Sequence, residues 1–236
     1  MPSFNFQTET SSFFHTMRSN ALRKKMIEGQ LIPYHVTCPA LLKVFHDVPR
    51  ENFIPTSLHP LAYSDAFLKI SHQHYMMPPF LLGKMLQALN PQESSSTLVI
   101  GDITGYTAAL LSALSGGVVS LIPDTLSQEH TQHIKNTLEL HAPNPVILKQ
   151  GPLTKGAPSH APYTHLFFEG PIESLPKLLL DGLHIAGSAI ALLWETSLLS
   201  KAVIYEKDLH HTRETYLFDA MFPPFPEFYA RDSFCF

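Results

Sequence analysis

The sequence is poor in the features that announce a function by themselves. Only two cysteines, Cys38 and Cys235, occur among its 236 residues. Their wide separation supplies neither a disulfide framework nor a set of zinc ligands, and two reduced thiols are the plainer reading. Charged residues make up 15% of the chain, against about 25% in an average globular protein. A formal net charge of −4 gives no general attraction for nucleic acid or an acidic membrane. The N-terminal stretch has no basic start leading into an apolar core, so it does not read as a secretory leader. The most apolar later run, IAGSAIALLWETSLL, is interrupted by Glu195 and is too short to span a bilayer. These absences set the expectation of a soluble, cytoplasmic protein without a membrane or nucleic-acid partner. Two chemical motifs are missing as well. No Gly-x-Ser-x-Gly elbow raises a nucleophile, and no Gly-Lys-Ser/Thr follows a glycine loop to hold a phosphate.

What is present is globular. Hydrophobic residues reach 44%, and the length suits one large domain, or a domain with an extension, able to bury a core without cross-links. Twenty prolines imply rigid loops and abrupt element ends. RSNALRKKMIEGQL, from Arg18, places Leu22, Met26 and Leu31 on one side of a helix. A second helix is predicted at CPALLKVFHDV, where Pro39 occupies a first-turn position and its missing N–H costs little. The prolines of PRENFIP break that pattern, and PPFLLGKMLQAL reads as a third helix. After NPQESSS the character changes. Short β-branched runs (TLVIG, GVVSLIP, PVILK, THLFFEG, SAIALLWE) alternate with helical ones (YTAALLSALS, TLSQEHTQHIKNTLELH, LPKLLLDGL), and KAVIYEKD with TYLFDAMF reads as a closing antiparallel pair. The pattern predicts an α/β fold, a doubly wound, mostly parallel sheet covered on both faces, with an N-terminal helical extension. Residues 1–90 are expected to form an arm and helical, substrate-side region, and 91–236 a Rossmann-like core with an aromatic tail.

In such sheets ligands bind outside the carboxyl ends of the strands. The first strand of the core ends in Gly101-Asp102-Ile103-Thr104-Gly105, followed by Tyr106 and a helix. Gly101 and Gly105 fit either a tight strand-to-helix turn or a loop that lets a cofactor approach the backbone. Asp102, Asp124 and Glu169 all fall at strand ends. They are candidates to gather around one cleft and hold a cation or an ammonium group, or else to cap backbone N–H groups at helix starts.

Several segments are similar to one known family. MIEGQL, VPRENFIP (Val48 to Pro55), LAYSDAFLKI with Ala62, Tyr63 and Asp65, IGDITGYTAALLSAL, and APYTHLFF stand in the order and spacing of the protein-L-isoaspartate O-methyltransferase family. The resemblance runs from about Arg18 to Asp208. It implies a class I methyltransferase fold, S-adenosylmethionine (SAM) as cofactor, an isoaspartyl-containing protein as substrate, and no metal. By the same resemblance Gly101, Asp102, Gly105, Tyr106, Asp124 and Glu169 are the candidate cofactor-binding residues. The positions that carry the family's chemistry have changed. Met77 stands where the family has a serine beside the methyl acceptor, so no catalytic residue is assigned. Val99 replaces an acidic residue before the loop, and Ile103 replaces the loop's middle glycine. The ribose-binding acid falls on Pro123, with Asp124 one place later. Gly151-Pro152-Leu153 lacks the adenine-side aspartate, and Thr164 stands for a strand-entry carboxylate. The expectation is a degenerate member with lost or weak SAM binding that acts as a binding or scaffold protein. An active repair methyltransferase and a methyltransferase for another acceptor are the alternatives.

Fourteen histidines invite a metal site. The pairs His72/His74, His130/His133 and His210/His211 lack a spaced third ligand, so solvated surface histidines are expected. His72, His74 and Tyr75 lie beside the lost serine position and offer polar groups there. The tail MFPPFPEFYARDSFCF is rich in Phe and Pro and is expected to pack against its own chain. The arm with Phe4, Phe6, Phe13 and Phe14 stays undecided between packing and partner contact.

Overall fold

The structure, a computed structural model, describes residues 19–196 and 199–228. The aromatic arm, Cys235 and the end of the tail lie outside the described residues. Helix α1, residues 19–26, continues into a π-turn at Ile27–Leu31. Helix α2, Pro39–Asp47, starts with proline in its first turn, as its sequence requires. Two 3-10 turns, Arg50–Phe53 and Thr56–Leu61, follow. A small hairpin, β1 (Leu68–Lys69) and β2 (Tyr75–Met76), was not expected from the sequence; strands of two residues are too short to show an alternation. Helix α3, Pro79–Leu89, stops at Asn90, which adopts the left-handed conformation that ends helices.

The core alternates as predicted. Its strands are β3 (Ser96–Ile100), β4 (Gly117–Ile122), β5 (Val146–Gln150), β6 (Tyr163–Ile172), β7 (Leu183–Trp194), β8 (Leu199–Lys207) and β9 (Thr212–Met221). Helices α4 (Tyr106–Ser112), α5 (Gln128–His141) and α6 (Lys177–Asp181) connect them. The sheet order is β5-β4-β3-β6-β7-β8-β9. The first five strands of that order are parallel, while β8 is antiparallel to both of its neighbours. Strand β7 begins five residues before the predicted SAIALLWE run, at Leu183 rather than Ser188.

Period-two alternation divides the core. Val99, Phe167 and Ile190 face the layer built by α2–α5, while Leu98, Ile100, Leu166, Phe168, Ala189 and Ala191 face the layer containing α6. Two aspects of the topology position the site. From β3 the chain winds outward through β4 and β5, then returns to lay β6 on the other side of β3. The carboxyl ends of β3 and β6 therefore form the crevice in which open α/β sheets bind ligands. Strand β9 points the same way as β3 and β6, because two antiparallel steps separate it from β7. Its end delivers the tail to the rim of that same crevice.

Candidate functional site

At the end of β3 the chain must turn sharply to start α4. Gly101 does so at φ +91°, and Gly105 at φ +83°. A side chain at Gly105 would also meet Leu138 and Ile134 of α5, at 3.0 and 3.3 Å from its Cβ. Asp102 is buried and organises the turn. Its Oδ1 accepts from the Gly105 N–H (2.7 Å), the Thr104 N–H (3.2 Å) and the Thr104 hydroxyl (3.0 Å), and its Oδ2 from the Ala108 N–H (2.9 Å). This is helix capping carried out inside the protein. Ile103 is buried and lines a cavity with Phe53, Ile70 and His130. The carbonyl of Ile103 accepts a 3.0 Å bond from His130 Nε2.

Glu169, in β6 one residue past the last pair with β3, is buried, as is Asp102. Removal from water, then the charge of Asp102, pushes its carboxyl up to about 8, opposed by a bond with Thr107 and by the charge of Arg50. Burial raises Asp102 too, but its hydrogen-bond donors oppose that, so the proton belongs on Glu169. Oε1 of Glu169 has no hydrogen-bond partner, which a neutral acid tolerates better than a carboxylate. Nearby Arg50 is fully buried. Its Nε donates to the Ala62 carbonyl (2.9 Å) and its Nη2 to the Met77 carbonyl (2.5 Å), and its guanidinium lies 5.0 Å from the centre of the Tyr106 ring. Beside it the Tyr63 hydroxyl donates to Glu51. Arg50 thereby ties the 48–55 segment to the 62–65 segment and to the chain just before α3.

Over Gly101 and Gly170 the crevice is occupied by the chain itself. After β9 the tail crosses the rim of the sheet. Phe222 joins one core layer and packs edge-on against Phe67, with ring centroids 5.6 Å apart, whereas Phe225 and Phe228 join the other layer. The Phe225 ring, 1% exposed, lies over both strand ends. A Cβ on Gly101 would stand 2.8 Å from Phe225 Cζ, and one on Gly170 would stand 2.7 Å from Phe225 Cβ. Phe228 stacks edge-on with Phe168 at 5.6 Å. Between them Glu227 is fastened from two sides. Its Oε1 and Oε2 lie 2.9 and 3.1 Å from His74 Nε2, and Thr125 Oγ1 donates to Oε1 at 3.2 Å. Ser71 Oγ meets the other ring nitrogen, His74 Nδ1, at 2.9 Å. Burial works to raise Glu227, yet the His74 bond and charge hold its carboxyl below the usual value.

These placements revise two expectations. The three strand-end carboxylates do not surround one cleft. Asp102 and Glu169 are buried, whereas Asp124 is exposed and lines, with Thr125, Pro152 and Glu227, a separate pocket of about 600 Å³. The extra residue at Pro123 carries Asp124 past the end of β4 and out of the crevice. His74 is not a solvated histidine but a buried one, drawn inward by Glu227. His72, His133, His210 and His211 are exposed. No group of three or more His, Cys, Asp or Glu side chains able to hold a metal occurs among the described residues. Tyr106 is a core residue between Phe53 and Arg50. Met77 contributes its carbonyl to Arg50 and buries its side chain. Thr164 bonds both the N–H (2.8 Å) and the carbonyl (3.0 Å) of Ser96, joining the starts of β6 and β3. Sequence reasoning missed Arg50 as a tie and Phe225 as the occupant of the crevice. The Phe-Pro spacing of the tail was a signal for the second, but its target was not legible.

A family profile described as protein-L-isoaspartate(D-aspartate) O-methyltransferase (PCMT) matches residues 21–222. A protein-L-isoaspartate O-methyltransferase of a Synechococcus species is 32% identical over 74% of this chain and 70% of its own. One from Aeropyrum pernix is 29% identical over 86% and 78%. Among solved structures, one titled protein-L-isoaspartate O-methyltransferase superposes with a TM-score of 0.72 at 24% identity over 86% of this chain, which spans 65% of that one. A putative Plasmodium falciparum protein-L-isoaspartate O-methyltransferase in complex with S-adenosyl-L-homocysteine gives 0.69 at 15% identity, over 87% of this chain and 97% of that one. At these identities the two structures establish the shared methyltransferase fold.

Proposed function

Because the chain belongs to the protein-L-isoaspartate O-methyltransferase family, we propose that it is a binding protein built on that family's methyltransferase fold, with SAM binding lost or weakened. One observation carries this reading: the Phe225 ring occupies the crevice over Gly101 and Gly170. Glycines at these two points are what allows a bound molecule to approach the strand ends closely. Here the approach is made by the chain itself. The surrounding residues do not fit the cofactor either. Val99 is buried in the core, Pro123 and Pro152 bring no carboxylate, and Asp102 spends its oxygens on backbone N–H groups.

The test is calorimetry of the full chain with SAM and S-adenosylhomocysteine. The expected Kd is weaker than about 0.1 mM, equivalent to less than about 5.5 kcal/mol of binding. Micromolar binding of either compound would reject the reading. A second reading, an active repair methyltransferase whose tail leaves the crevice when cofactor arrives, is favoured by the intact 48–55 and 62–65 segments that Arg50 joins. Methyl transfer to an isoaspartyl peptide by the full chain would establish it. Transfer to another acceptor alone would establish a changed specificity.

A further inference from the structure

Given a crevice that no longer fits its cofactor, its present occupant indicates what it does fit. The segment 222–228 reads Phe-Pro-Pro-Phe-Pro-Glu-Phe. Its last four residues form a single turn at Pro226–Phe228, closed by the bond from the Phe228 N–H to the Phe225 carbonyl at 3.1 Å. Each part of the turn meets a matching feature of the crevice. Phe225 enters a slot floored by Gly101 and Gly170 and walled by His74, whose ring centroid is 5.2 Å away. Phe228 covers Phe168 and touches Phe225, at 5.7 Å between centroids. Glu227 takes His74 Nε2 and Thr125 Oγ1. The prolines fix the backbone in advance, which lowers the entropy cost of docking. The contacts are those of a small interface, aromatic anchors in a desolvated centre with a charge-assisted hydrogen bond at its edge.

We propose that the crevice is an aromatic–acidic peptide slot, that residues 222–228 are its ligand in cis, and that its partner in trans is a protein segment presenting the same Phe-x-Glu-Phe turn. This rests on the reading that the crevice no longer serves SAM. A tethered ligand competes at an effective concentration in the millimolar range, so a partner in trans gains entry when the tail is weakened or displaced.

The experiment uses a fluorescein-labelled peptide of residues 222–228 and the full chain, read by anisotropy. Three proteins are compared: the wild type, the milder variant Glu227→Gln, and the double variant Phe225→Ala, Glu227→Ala. A far-ultraviolet spectrum and a melt verify each fold. Removing the cis anchors should tighten peptide binding by about tenfold or more relative to wild type, with Glu227→Gln intermediate. Within the double variant, a peptide carrying Gln for its Glu should bind about tenfold more weakly, and His74→Ala should erase that preference. Equal binding to wild type and double variant, or no saturable binding by a folded Glu227→Gln or double variant, overturns the slot. S-Adenosylhomocysteine is titrated into the same proteins. Tight binding by the wild type overturns the underlying reading together with the slot, whereas absent binding alongside a failed peptide titration overturns the slot alone.

Discussion

The joint around Arg50 and the crevice beneath Phe225 are both buried, and both contain what is most recognisable in the family's sequence pattern. They match that pattern to very different degrees. The Arg50 joint retains its residues, from Val48 to Pro55 and at Ala62, Tyr63 and Asp65. Around the crevice Pro123 and Pro152 stand where the family resemblance expects acidic residues, and an aromatic ring of the chain's own tail lies over Gly101 and Gly170. The difference lies in what each set of polar groups binds. Arg50 donates to two carbonyls of its own chain, so its loss would leave buried acceptors unpaired whatever the protein does. Under the proposed function the crevice residues would have served a ligand, and nothing inside the fold demands them once that ligand is given up. A retained signature is thus evidence of a retained fold, and only the residues without an internal partner bear on chemistry.

The largest expected effect tests the structural half of this contrast. Arg50→Met leaves the Ala62 and Met77 carbonyls without donors and removes a cation from beside Tyr106 and Glu169. Breaking a fully buried charged network of this kind costs about 3–5 kcal/mol. Urea denaturation should show that loss. Arg50→Lys should recover little of it, because one ammonium cannot span two divergent carbonyls. A cost below about 1 kcal/mol would mean that the signature is not held by folding, and the comparison would fail.

An intermediate effect comes from Glu169, which sits where the two regions meet. Its carboxyl is raised to about 8 in the folded chain, from an ordinary value of 4.5. A raised acid stabilises the fold fully below its unfolded value, and that contribution is lost as pH rises through the folded one. The wild type should therefore lose stability between about pH 4.5 and pH 8, by an amount on the order of 1–2 kcal/mol after the site relaxes. Glu169→Gln keeps the shape and removes the titration. The difference in unfolding free energy between the two proteins should follow that window. It also subtracts the histidines, since burial lowers His130 and His165 and makes their contribution run the opposite way. A difference that does not change with pH would place a charged carboxylate at Glu169 and restore a polar character to the crevice.

How far the sequence reveals each region follows from the range of its interactions. The alternation of Leu98, Val99 and Ile100 between the two core layers is local, so the strand and its two buried faces could be read directly. The capping by Asp102 was legible for the same reason, because the groups that donate to it lie within six residues. Arg50 bonds residues that a linear reading does not bring together, since Ala62 and Met77 approach it only after two turns and a hairpin have formed. The occupant of the crevice was least legible. Gly101, Gly170, His74 and Phe225 meet only because β9 runs parallel to β3 and β6, and that depends on the whole sheet order.

The smallest expected effect on binding concerns Ile103, the residue that makes the loop look damaged. If its side chain were the main obstacle to cofactor, Ile103→Gly would raise SAM affinity. The geometry argues otherwise. Ile103 lines the cavity shared with Phe53, Ile70 and His130, whereas Phe225 rests on Gly101 and Gly170. Deleting the Ile103 side chain widens the first space and leaves the second filled. Ile103→Gly should therefore change SAM affinity by less than about twofold, or about 0.4 kcal/mol. Its main consequence should be a stability loss of about 3 kcal/mol or more, from the lost packing of a buried side chain and the added backbone freedom of glycine. Calorimetry on Ile103→Gly, on Phe225→Ala and on the two combined separates the obstacles. A gain in affinity from Ile103→Gly alone would show that the loop, and not the tail, closes this crevice to the cofactor. The contrast with the Arg50 joint would then rest on a single substituted residue instead of a captured segment of chain.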